Sequence, residues 1–110
     1  MRSTLLLIML WASFVCHAQS YKLFTTDEDL SSSLINHIYQ DSNGMIWVAT
    51  EDGLNRYDGA KFTTYKHNPE DAHSLSHNYV RRIFEDSKGH IYIGTHNGVQ
   101  VYNPATDTFS

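Results

Sequence analysis

Cysteine is nearly absent from this chain: among 110 residues there is only Cys16. A disulfide staple within the chain and a paired-cysteine metal site are therefore excluded. Proline is scarce, with two residues, and no apolar run follows residue 15 that approaches the roughly 20 residues of a membrane-spanning helix. Positive charge is also short: eight Lys and Arg against twelve Asp and Glu leave a formal net charge of −4. The lone Arg81-Arg82 pair is no basic stripe, which argues against a nucleic-acid partner, because such binding rests on clustered cations neutralising phosphates. Outside the N-terminus no 3.6-residue apolar periodicity of useful length occurs, so helix is not expected. What is plentiful is aromatic side chain, 13% of the residues, as suits a strand-rich chain.

The N-terminus reads as a secretory leader. Arg2 supplies charge, Leu5 to Val15 is apolar apart from Ser13, and Cys16-His17-Ala18 places small residues for cleavage before Gln19. A run of eleven is too short for a membrane anchor, and the residues before Cys16 fit a lipoprotein signal poorly. The expected leader is 1–18. Its removal takes away Cys16, so the mature chain would carry no cysteine and would depend on its core, or on more chain, for stability.

The dominant signal is a repeat. Shifted by 45 residues, Leu30–Ala60 aligns without a gap on Leu75–Ala105, with 11 of 31 positions identical; unrelated segments of ordinary composition would share roughly two. Most other positions are same-class exchanges, such as Ile35/Val80, Trp47/Tyr92 and Leu54/Val99. Each copy reads as four short strands. In the first they are 35–40, 45–50, 54–57 and 61–65, separated by turns at 41–44, 51–53 and 58–59. The second copy repeats them at 79–85, 91–95, 99–102 and from 108. Asn43-Gly44 is a hairpin signal, since both residues tolerate positive φ. The strand 45–50 is apolar at nearly every position, as expected of a strand covered on both faces. Leu54-Asn55-Arg56-Tyr57 reads as the third strand, with two polar residues between two apolar ones. Four antiparallel strands per 45 residues describe one blade of an all-β propeller. The expected organisation is blade one at 30–65, a polar link at 66–74, and blade two at 75–110, stopping early in its fourth strand. The segment 19–29 contains Tyr21–Thr26, which resembles the strand 61–65 and has no blade before it; the expectation is that it closes the last blade of the ring. A mature chain with two blades is not expected to be a stable monomer, since about three repeats are needed to bury a common core.

The run Asp41 to Gly59 (DSNGMIWVATEDGLNRYDG) resembles the two-component regulator propeller repeat, with Ile46–Tyr57 the most specific stretch. The second copy departs at Tyr92, His96-Asn97 and Val99. The repeat positions are Asp41, Gly44, Trp47, Thr50, Gly53 and Tyr57, matched by Asp86, Gly89, Tyr92, Thr95, Gly98 and Tyr102. The resemblance implies the N-terminal, periplasmic, ligand-sensing part of a hybrid histidine kinase anchored in the inner membrane and associated with polysaccharide utilisation. It implies further blades of the same protein as partners, an oligosaccharide ligand and a homodimeric full-length sensor. It transfers no ligand-binding residue, and the kinase elements are absent from these 110 residues.

Several patterns invite a sharper chemistry. Asp41-Ser42-Asn43-Gly44 has the opening of a calcium loop, but position twelve is Asp52 and the flanks are strands, so a structural turn is expected. His73 and His77 have metal-site spacing only on a helix, and they lie in a loop and at a strand start. No cofactor or metal is assigned. Trp47 and Tyr92 fit packing between blades better than sugar stacking. Tyr57, Tyr65, Tyr79 and Tyr102 lie near strand ends, where some could reach a ligand. Arg81 and Arg82 replace Asn36 and His37 of the first copy; this departure makes them the candidate ligand residues, able to pair with an anionic glycan, although a solvated strand face is the simpler reading. A propeller lyase or hydrolase and a secreted oligomeric interaction module are the competing functions; the acids fall mostly in turns, with no convergent pair.

Overall fold

The computed structural model describes residues 30–110; the expected leader and the expected strand at 21–26 lie outside them. Eight strands form two antiparallel meanders. Blade one holds β1 (Ile35–Gln40), β2 (Ile46–Thr50), β3 (Gly53–Tyr57) and β4 (Phe62–Tyr65). Blade two holds β5 (Val80–Glu85), β6 (Ile91–Thr95), β7 (Gly98–Asn103) and β8 (Thr108–Phe109). Strand bounds fall within a residue or two of those expected. The fourth strand of blade two does form, pairing Tyr102 with Phe109 and Asn103 with Thr108.

Turn chemistry fixes these bounds. Gly44 and Gly89 take the same place in the two copies, at φ 86° and 85°, a region costly for residues with a Cβ. Gly53 (φ 123°) is constrained twice, because a Cβ there would meet the Tyr65 carbonyl oxygen at 3.0 Å and Ser31 Oγ at 3.2 Å.

Register assigns the faces. Trp47 pairs with Arg56 and Ala49 with Leu54, so these four share the face of blade one turned to blade two. From blade two, Val80, Ile83, Ile91, Ile93, Tyr102 and Phe109 meet them in one buried cluster, with Leu75 and Tyr65. The sheets are closest along β1, β2 and β5. Small side chains suffice there, whereas the wedge toward β4 and β8 is filled by rings: Trp47 and Tyr102 lie edge to face at 4.9 Å, Tyr65 and Phe109 at 5.2 Å. Burying a side chain such as Ile83 or Leu75 contributes about 1.5–3 kcal/mol. Asn55 is a polar residue inside the sheet. It is fully buried, because its amide bridges Ser31 and Thr64 instead of facing water.

Candidate functional site

The repeat motif is a hydrogen-bonding scaffold. Asp41 follows β1, and its Oδ1 accepts the backbone N–H groups of Asn43 (2.9 Å) and Met45 (3.0 Å). Its Oδ2 accepts the indole N–H of Trp47 at 2.8 Å. One carboxylate thus closes the turn and orients the ring that fills the wedge. Asp86 repeats the arrangement with Lys88, His90 and the Tyr92 hydroxyl (3.2 Å), and it also takes His90 Nδ1 at 2.9 Å. The N–H of His90, foremost, holds the Asp86 carboxyl at about 2. Thr50 and Thr95 clasp the second turn, each accepting an N–H (Asp52, Asn97) and donating to a glycine carbonyl (Gly53, Gly98).

Two pairs important to the scaffold escaped the sequence reading. Ser31 and Ser76 bond Thr50 and Thr95 at 3.0 and 2.9 Å, and their backbone N–H groups donate to Asn55 and Gln100. The signal was present in the Leu-Ser dipeptide that opens both copies, 30–31 and 75–76.

A hub spans the seam between the blades. The Tyr65 and Tyr102 hydroxyls both donate to Asp107 Oδ1, at 2.5 and 2.6 Å, from a turn in which Asp107 has φ 57°. Arg56 donates to the Tyr102 hydroxyl, lies 3.5 Å from Asp107, and sits 5.8 Å from the ring centres of Trp47, Tyr65 and Tyr102. Burial first, then the bond to Asp107, pushes both tyrosines up. Burial alone would raise Asp107, but the two hydroxyls and the Arg56 charge outweigh it and hold its carboxyl below the ordinary value. Tyr57, the counterpart of Tyr102, donates to the Gly59 carbonyl of its own turn. Beside the hub, a crevice of about 120 Å³ is lined by Asp41, Trp47, Arg56, His90, Tyr102 and Pro104, among others.

The innermost strands carry the candidate ligand residues. Both β1 and β5 are bulged at the same repeat position, between Ile35 and His37 and between Val80 and Arg82. In blade one the bulge residues reach across to β5: Asn36 Nδ2 donates to the Val80 carbonyl at 2.8 Å, and His37 Nδ1 accepts the Ile83 N–H at 3.1 Å. Burial, then the charge of Arg82, lowers His37. In blade two the same positions hold Arg81 and Arg82, both exposed, their guanidiniums without a hydrogen bond or ion pair among the described residues. At the end of the blades where β5 begins, Tyr79 stacks on His96 at 3.8 Å, and His77 accepts the Tyr79 N–H. His73 lies apart in the link, its carbonyl accepting the Phe109 N–H. Among the described residues no three His, Cys, Asp or Glu groups gather as metal ligands. The candidate tyrosines are engaged elsewhere: Tyr65 and Tyr102 are buried in the hub, Tyr57 is bound to its own turn, and Tyr79 is stacked on His96.

The family model for the two-component regulator propeller matches residues 29–52 and 74–97, which hold the first two strands of each blade and the turn between them. Histidine kinase P4 of Formosa agariphila is 48% identical over 56 residues, 51% of this chain and 4% of that protein. The extracellular domain of a hybrid two-component system of B. thetaiotaomicron superposes with TM-score 0.69 and 34% identity, over 79% of this chain and 12% of that one. The chain therefore spans a small fraction of either relative. Its two sheets are β-propeller blades, and residues 29–52 and 74–97 each match the two-component regulator propeller repeat.

Proposed function

We propose that these blades belong to the exported, ligand-sensing propeller of a hybrid two-component signalling protein, with glycan fragments as the signal and polysaccharide use as the output. The observation that carries this reading is the likeness, at 34% identity, to an extracellular domain of such a system. The blades themselves supply a scaffold of bonded turns and buried rings, which suits recognition on a rigid frame. Further blades of the same protein are the proposed neighbours, the full-length sensor is proposed to act as a homodimer at the inner membrane, and Arg81 and Arg82 are the proposed ligand residues.

The test is a transcription reporter in cells that carry the whole gene, challenged with a panel of oligosaccharides. At least one glycan is expected to raise the reporter and to bind the purified exported polypeptide. Ile83→Asp, which places a charge in the seam, is expected to abolish both responses. A reporter that stays flat with every glycan would contradict the reading.

A further inference from the structure

In a regular strand, consecutive side chains point to opposite faces. The bulge in β1 breaks that rule, since Asn36 and His37 are adjacent in sequence and both bond the neighbouring blade. Arg81 and Arg82 stand at the same bulge, 45 residues on, with the same register shift. Their side chains are therefore set on one side of β5, turned away from blade one.

The exchange of residues changes what this pair can bind. Asn36 and His37 supply one donor and one acceptor, which match one carbonyl and one N–H on the edge of β5. Two guanidiniums supply donors only, so they cannot repeat that match against a backbone edge. Two adjacent planar cations fit an acceptor with several oxygens and negative charge. The acids near them are committed elsewhere: Glu85 accepts from Tyr39 and Ser42 of blade one, and Asp86 closes its own turn. His37 is half-buried and Asn36 exposed beside blade two, so the equivalent notch is shallow enough to admit a small group from solvent.

We propose that Arg81 and Arg82 form a two-guanidinium clamp for an oxyanion, the carboxylate, sulfate or phosphate of a small ligand, on the side of β5 turned away from blade one. The clamp rests on the sensor reading for the presence of a ligand, and it names the chemistry of that ligand.

The test is calorimetric titration of the natural polypeptide, with everything its reading frame encodes for export, at low ionic strength. The probes are glucuronate, glucose 6-sulfate, glucose 6-phosphate and glucose: one sugar frame with three oxyanions and a neutral control. At least one oxyanion is expected to bind about tenfold or more tighter than glucose, and the preferred one identifies the source. Added salt should weaken it. The double variant Arg81→Asn, Arg82→His installs the pair that blade one already carries, so it is expected to melt at the parent temperature and to lose the preference. No preference over glucose, or a preference that survives in that variant, overturns the clamp. A reporter response to a neutral glycan without any oxyanion preference would sink the clamp and leave the sensor reading intact. An oxyanion preference with a silent reporter would do the reverse.

Discussion

Asp41 and Asp86 hold the same turn in two blades, yet removing them should not cost the same. Asp41 is buried and serves two backbone N–H groups and the Trp47 indole, whereas Asp86 is more open to water. Asp41→Ala strands those donors and is expected to lower stability by about 2–4 kcal/mol. Asp86→Ala should cost clearly less, because water can replace the carboxylate; urea midpoints of the two variants check the order. Asp86 also sets an acid limit. Its folded value of about 2 lies below the ordinary 3.8, so its stabilising contribution is complete above about pH 4 and is lost as pH falls through about 2. A carboxyl-carbon NMR titration should find Asp86 ionised at pH 3; a midpoint at 3.8 would contradict the bonded turn. The two turns were legible in the sequence because a glycine at positive φ and an acid three residues before it recur at a fixed spacing. The partners of Asp41 across the turn were not, since the same letters also open a calcium loop.

At the scale of the element, the seam depends on side chains distant in sequence. Tyr65 and Tyr102 donate to one oxygen of Asp107, and Arg56 is bonded to Tyr102 and lies beside the same carboxylate. Tyr65→Phe and Tyr102→Phe should therefore be non-additive, the double variant losing less than the sum of the singles. A double-mutant cycle read by urea unfolding checks this; strict additivity would mean that the shared acceptor is not stabilising. Ile83→Ala, at a fully buried seam position, should cost about 2–4 kcal/mol. Strand order and blade limits could be read from the repeat, because turns and apolar runs are local. The hub could not: nothing local in Leu54–Tyr57 marks Arg56 as a seam residue, and its rings come from residues up to 46 positions away. Asn55 misled for the same reason, its partner Ser31 lying 24 residues back.

At the scale of the molecule, the repeat relation exposes what the pair of blades leaves uncovered. Val80 and Ile83 are 0% and 1% exposed against blade one, whereas their counterparts Ile35 and Ile38 are 43% and 44% exposed. On the opposite side, Leu54 is 0% exposed and its counterpart Val99 63%. Each outer face thus repeats the apolar positions of the seam without a cover among the described residues, and the proposed function assigns those covers to further blades. Residues 30–110 alone are accordingly expected to unfold over a broad urea range or to associate, not to melt as a sharp two-state monomer.

The most direct test is cysteine labelling of the natural polypeptide with everything it encodes for export. Ile38→Cys and Val99→Cys are introduced singly and read site by site by mass spectrometry, with the exposed turn variant Ser87→Cys as control. If further blades cover both faces, positions 38 and 99 should label in native buffer at less than about a tenth of their rate in urea, while position 87 labels freely in both. Labelling at 38 and 99 as fast as at 87 in native buffer would contradict the propeller account.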